Sequence, residues 1–205
     1  LLFAFHDESR RFRNFLSYDE QWLEDVGSED SHGRSLHALG VTVAYTSEEG
    51  MRALAADLFD RALPIVMTFG SPRSWTFALL GIHEYLRHFS GDTEMRRERE
   101  VLAERLFERF TDNGTTDWPW CENHLSYANA SVPHALIMSG RWLQNSEMIE
   151  TGLHSLEWLL DLQTSELDNF SPVGCDGFYK KGGVMARWDQ QPIEAQTTVS
   201  ACLEA

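Results

Sequence analysis

The sequence predicts an all-α chain built from helical hairpins, and three observations predict it. Apolar residues recur at helical rather than strand spacing through most of the chain. Helix-start signals, either a polar cap or a proline, fall between those stretches. Heavily charged helices alternate with helices rich in Ala, Leu and Ser, which is the division expected between outer and inner positions.

In chain order, residues 32–45 form a first, sparsely charged helix. Thr46 to Glu49 spells a capping box, in which Thr46 accepts from the third helical N–H and Glu49 reaches back. It opens a charged helix over 48–63, whose Met51, Leu54, Ala55, Leu58, Phe59 and Ala62 follow at helical spacing until Pro64 ends it. Ser71-Pro72 is an N-cap followed by proline at the first helical position, and the helix it opens runs to about Phe89. Asp92 caps the next, over 93–110, with Met95, Leu102, Leu106 and Phe110 on one face. A sparsely charged helix over 131–142 follows. Ser146 then opens 147–164, with Ile149, Leu153, Leu156 and Leu160 in register. Segment 165–188 carries Gly174, Gly177, Gly182 and Gly183 around Phe178, Tyr179 and Val184; it reads as a long loop with a short hairpin, a length that usually signals function. Pro192 starts a last helix, 193–205.

The sparsely charged helices can pack on most sides and the charged ones on one side only. Starts of the inner helices recur at roughly 40- to 60-residue intervals, the signature of repeated hairpins. The predicted architecture is therefore an α/α toroid, (α/α)6-like, forming one domain over 1–205. About four hairpins are present and the last helix is unfinished, so the expectation is a truncated ring whose first and last helices leave apolar flanks for another chain or further residues.

Composition narrows the function. Hydrophobic residues make up 42% and charged residues 24%, as in globular proteins. Seventeen Lys and Arg against 32 Asp and Glu leave a net charge of -15, which disfavours nucleic acid and anionic membrane surfaces as partners. No apolar run approaches the ~20 residues of a membrane span. Cys121, Cys175 and Cys202 are too few and odd for a disulfide framework, so a reduced, cytoplasmic setting is expected. Cys121 with His124, and His83 with His88, do not amount to a zinc ligand set. No metal and no cofactor is called for.

The polar motifs follow the helix alternation. Glu29-Asp30-Ser31-His32-Gly33-Arg34 precedes one inner helix, and Ser71-Pro72-Arg73 opens the next. Asp117-Trp118-Pro119-Trp120-Cys121-Glu122, with Tyr127 and Asn129, precedes the third, and Asp189-Gln190-Gln191-Pro192-Ile193-Glu194 opens the fourth. Parallel inner helices would gather these motifs at one end, where helix N-termini add N–H donors and positive potential. Tryptophan faces beside carboxylates and amides suit a sugar, and carbohydrate is the expected ligand, although any single Trp reads at least as well as a packing residue.

The strings Tyr18-Asp19-Glu20-Gln21-Trp22-Leu23, Gly27 to Arg34, Ser71-Pro72-Arg73 and Asp189 to Ala195 resemble a bacterial family of the six-hairpin glycosidase-like superfamily. Its members are often described as glycosyltransferases because the toroid accompanies or is fused to such a domain. The resemblance covers nearly the whole chain. It implies an (α/α)6 toroid, a carbohydrate role, and a glycosyltransferase domain or chain as a possible partner. There is no βαβ alternation and no glycine-rich strand-to-helix turn for a nucleotide-sugar domain.

Three chemistries fit. An inverting glycosidase needs an acid and a base in different environments. Glu122, after Trp118 and Trp120, is the candidate acid, and Asp30 or Asp189 the base; singly, Asp30 and Asp189 read equally well as helix caps, and Glu194 as a first-turn complement to the dipole. A sugar epimerase, which shares the toroid, would use His32 or His124 for proton transfer; taken singly, His32 also reads as a helix-start histidine bonded to backbone. The third is a non-catalytic module that binds sugar through His32, Arg34, Arg73, Trp118, Trp120, Tyr127, Asn129, Gln190 and Glu194; Arg34 and Arg73 read equally as structural ion-pair partners of Asp30, Glu122 or Glu194. Carboxylates tied up in fixed pairs would favour it.

Overall fold

The computed structural model describes residues Leu1–Ala205. Seven α-helices carry the fold: α1 (Glu29–Tyr45), α2 (Glu49–Ala62), α3 (Pro72–His88), α4 (Thr93–Asn113), α5 (Ser131–Leu143), α6 (Ser146–Leu162) and α7 (Pro192–Glu204). Four two-residue strands are the only sheet: β1 (Phe5–His6) with β2 (Arg11–Phe12), and β3 (His124–Leu125) with β4 (Tyr179–Lys180), both antiparallel. The chain is all-α, and no helix is long and apolar enough to cross a membrane. It divides into two compact units, Leu1–Leu102 and Ala103–Ala205.

Burial follows the predicted alternation in most helices. In α2 only Ala55, Leu58, Phe59 and Ala62 are buried, one stripe at helical spacing. In α3 every residue from Pro72 to Ile82 is buried, so this helix is enclosed on all sides for three turns. In α6 the buried set is again one face, Met148, Gly152, Ser155, Leu156 and Leu159. The last helix departs from the pattern. Only Glu194, Thr197, Thr198 and Ala201 of α7 are buried, while Val199 and Leu203 are exposed.

In the first unit, α1 and α3 touch backbone to backbone. A Cβ on Gly33 would meet Ser74, and one on Gly40 would fall on the Gly81 carbonyl. The paired numbers rise together, so the two helices run parallel. In the second unit, Gly140 lies against Ile149 and Gly152 against Ile137, which makes α5 and α6 an antiparallel hairpin. There α5 and α7 run parallel: Ala128 and Asn129, just before α5, meet Glu194, and Arg141 near its end bonds Glu204.

Three local expectations are corrected. The capping box at Thr46 does not form. Thr46 Oγ1 accepts from Glu48 N, and α2 begins at Glu49 with Glu48 as an N-cap whose side chain makes no capping bond. The Arg52 guanidinium donates to the Val43 and Thr46 carbonyls, closing the end of α1 and holding 46–48 as a tight turn instead. The cap of α6 is Asn145, not Ser146; Gln144 ends α5 in a left-handed conformation (φ 55), and Asn145 Oδ1 then accepts from Met148 N. In segment 165–188, Tyr179–Lys180 pairs with His124–Leu125 rather than within its own loop. The helix start at Ser71-Pro72 is as predicted, although the Ser71 side chain makes no capping bond, and the Asp92 cap is as predicted, with Asp92 Oδ1 accepting from Met95 N.

Candidate functional site

Helix N-termini leave N–H groups that need acceptors, and each unit answers this with a glutamate from a parallel neighbour. In the first unit, the carboxylate of Glu29, on the first turn of α1, accepts from Gly70 N and Ser71 N at the start of α3. In the second, the buried Glu194, on the first turn of α7, accepts from Ala128 N, Asn129 N and Asn129 Nδ2 before α5. Asn129 completes that knot: its Oδ1 accepts from Ser126 N and its Nδ2 donates to the Ser126 carbonyl. A carboxylate held by several N–H donors is a fixed acceptor whose oxygens are already engaged.

The other first-unit candidates separate. Asp30 is ion-paired to Arg34 at 2.9 Å, and the Arg34 guanidinium also lies 4.6 Å from the Phe77 ring centre. Both line a shallow cleft of about 300 Å³ with Leu1, Asn14, Ser28 and Ser31. His32 points the other way, into the interior, and is fully buried. Its Nε2–H donates to the Ala62 carbonyl (2.9 Å) and its Nδ1 accepts from Phe12 N (3.4 Å), between the rings of Phe12 and Phe69. Burial pushes its pKa down to about 4, so it is neutral at pH 7. Arg73 is buried in the first turn of α3. A second hollow of the unit, about 190 Å³, is lined by Asp60, Asp92, Glu94 and Glu98. Burial there raises the Asp60 pKa, opposed by a hydrogen bond from Tyr85.

In the second unit, both tryptophans of the Trp-Pro-Trp motif are interior. Trp118 donates through Nε1 to the Glu122 carbonyl and packs edge-on against Trp158 (5.0 Å) and Tyr179 (5.3 Å). Trp120 donates to the His124 carbonyl and meets Phe110 edge-on at 6.0 Å. Their rings form an aromatic cluster rather than a sugar platform. Glu122 is half-buried beside them. Tyr127 faces Phe178 at 6.4 Å. Gln190 donates to Ser171 Oγ and the Pro172 carbonyl, and Asp189 accepts from Gln191 Nε2, so both shape the loop entering α7.

A cleft of about 570 Å³ in this unit is lined by Phe110, Gly114, Thr115, Thr116, Pro119, Glu150, Thr151 and His154. Buried Phe110 and Pro119 form an apolar floor beneath three hydroxyls, a carboxylate and an imidazole. Beside it, a hollow of about 500 Å³ is lined by Asn123, His124, Lys180 and Lys181. Lys181 links the two, its Nζ donating to Thr115 Oγ1 at 3.3 Å. The sequence reading missed these residues. The signal present was Glu150 and His154, one turn apart and off the apolar face of α6. No group of three or more His, Cys, Asp or Glu is placed to hold a metal ion. Compared with known proteins, the chain matches no family model, no curated protein and no solved structure.

Proposed function

We propose that the chain is a carbohydrate-binding portion of an α/α toroid of the six-hairpin type, (α/α)6-like in plan and associated with glycosyltransferase activity. The observation that carries the binding role is the 570 Å³ cleft of the second unit, with hydroxyl, carboxylate and imidazole groups above an apolar floor. Sugars need this combination, because their hydroxyls demand fixed donors and acceptors while their C–H faces demand apolar contact. The toroid plan draws support from the parallel α1 and α3, the parallel α5 and α7, and the sequence resemblance.

Binding is favoured over bond cleavage because candidate proton-transfer groups are already engaged. Both ring nitrogens of His32 are bonded within the core, Asp30 is paired to Arg34, and Glu194 is held by backbone N–H groups. The test is titration of the chain with neutral mono- and oligosaccharides, followed by NMR or calorimetry, with reducing-end release assayed in parallel. The expected result is saturable binding without release, weakened about three- to tenfold by Thr151→Val, which removes one hydroxyl of the cleft, and unchanged by Glu122→Gln. Absence of binding to any saccharide overturns the reading. Glycoside cleavage lost by ~10²–10⁴ in Glu122→Gln would instead assign Glu122 as a general acid and the chain as a hydrolase.

A further inference from the structure

Lys180 and Lys181 are the only lysines in the sequence, adjacent to each other in a chain with 32 carboxylates. Cationic side chains in so acidic a chain are expected to be captured by Asp or Glu, as Arg34, Arg52, Arg61, Arg87 and Arg141 are. Neither lysine is in an ion pair. Both are exposed and line a hollow of about 500 Å³ that no carboxylate lines; its other walls are Asn123 and His124.

The backbone holds this group of donors in place. His124 sits directly across the β3–β4 ladder from Lys180, and Lys181 N donates to the Asn123 carbonyl at 2.9 Å. The chain then turns tightly: Gly183 N donates to the Lys180 carbonyl at 2.8 Å, and Gly182 takes φ +75, a conformation that favours glycine. The His124 ring is hydrogen-bonded to Asn123 Oδ1 at 3.1 Å, which occupies the amide's acceptor and leaves its N–H groups as donors. The Trp120 indole fixes the ladder from below by donating to the His124 carbonyl. The result is two ammonium groups at a pinned turn with the Asn123 amide on the facing strand, the Lys181 ammonium reaching Thr115 on the rim of the larger cleft.

We propose that this turn is an anion subsite, taking the carboxylate or phosphate group of an acidic saccharide whose ring occupies the neighbouring cleft. The proposal rests on the carbohydrate reading above and specifies its substrate class. A charged oxygen group there gains charge-assisted hydrogen bonds that a neutral sugar cannot make, and two ammonium groups with no carboxylate in the lining select against cations.

The chain and a Lys180→Gln/Lys181→Gln double variant are titrated with glucose, glucuronate, glucose 6-phosphate and inorganic phosphate, read by NMR and calorimetry. Both positions are exposed on a turn, and an unchanged circular dichroism spectrum verifies folding of the variant. The expected result is that one acidic sugar binds about tenfold more tightly than glucose, that inorganic phosphate competes with it, and that the double variant reduces it to the level of glucose without altering glucose itself. Preference for glucuronate identifies a carboxylate ligand; preference for glucose 6-phosphate identifies a phosphate. Equal binding of acidic and neutral sugars overturns the anion subsite while leaving the carbohydrate reading intact. Lysine-dependent binding of inorganic phosphate, with no saccharide bound, keeps the anion site and overturns the carbohydrate reading. Undiminished acidic-sugar binding in the double variant overturns the assignment to these lysines.

Discussion

At the scale of the residue, a histidine enclosed by its neighbours needs one protonation state, and the two bonds at His32 select it. One ring nitrogen must donate to the Ala62 carbonyl and the other must accept from Phe12 N, so only the neutral tautomer satisfies both. A second proton would break the bond to Phe12, which anchors β2 against α1, and would place a charge near Arg11. The consequence for stability has a definite sign. The folded pKa, about 4, lies below the ordinary value of 6.5. The unfolded chain therefore takes up a proton that the folded chain refuses, and stability falls as pH drops through 6.5 toward 4. Between pH 7.5 and pH 5 the loss is about 2 kcal/mol. The many carboxylates also titrate in this range, so the informative quantity is a difference. His32→Gln keeps one donor and one acceptor but does not titrate. In urea unfolding at the two pH values, the wild type should lose about 2 kcal/mol relative to this variant; parallel behaviour of the two would refute the neutral, buried assignment. His32 also shows why the sequence leaves both a site role and a backbone-bonded structural role open for a single residue, of which the structure takes the second. A polar motif at a helix start looks the same whether its side chains face a cleft or the core. Here Asp30 and Arg34 face the cleft and His32, between them, faces the core.

At the scale of the element, the helices were largely legible because they rest on local rules: Ala55, Leu58, Phe59 and Ala62 of the expected α2 stripe are buried, and the Ser71-Pro72 start and the Asp92 cap appear in the structure, whereas in α6 only Leu156 of the expected face is buried and the core side is Met148, Gly152, Ser155, Leu156 and Leu159. Local rules failed where a distant group competed. Arg52 takes the carbonyls at the end of α1 and displaces the Thr46 box, and the β3–β4 pairing joins segments more than fifty residues apart that no periodicity connects. The close approach of α1 and α3 was equally hidden, since a glycine within a helix reads as a weakness rather than a contact. Its role is testable by contrast with a glycine that touches nothing. At Gly40 a methyl group would fall on the Gly81 carbonyl, and both helices are anchored elsewhere along their length, so neither can back away freely. Gly40→Ala should cost about 1–3 kcal/mol or more. Gly50, in the first turn of α2, has nothing within 4 Å of the added carbon. Gly50→Ala should be neutral or stabilise by up to about 1 kcal/mol. Thermal unfolding of the two variants measures both, and a Gly40→Ala protein as stable as the wild type would mean that α1 and α3 are not in backbone contact.

At the scale of the whole molecule, the candidate site was less legible than the fold because it is assembled rather than spelled. Thr115 and Thr116 come from a connection, Glu150, Thr151 and His154 from the outward side of α6, and Lys180 and Lys181 from a glycine-rich loop; packing and a two-residue ladder bring them together. Net charge, by contrast, was fully legible, and it bears on stability directly. Seventeen cationic against 32 anionic side chains leave -15, and a compact chain holds those charges closer together than an unfolded one. Exposed ion pairs such as Arg61–Asp57 and Arg141–Glu204 offset this only slightly, since such pairs contribute about 0–1 kcal/mol each. Screening should therefore relieve more repulsion than it removes attraction. At 0.05 M salt, charges interact over distances well beyond ~10 Å; at 0.5 M only near neighbours do. Raising sodium chloride from 0.05 to 0.5 M should stabilise the chain by on the order of 1 kcal/mol, a rise of about 2–4 °C in Tm. Chloride is the appropriate anion because sulfate would strengthen apolar burial in its own right. The same change should weaken any anion held at Lys180 and Lys181, so fold stability and acidic-sugar affinity are expected to move in opposite directions. A Tm that falls with added chloride would show that specific ion pairs, and not net repulsion, dominate the electrostatics of this molecule.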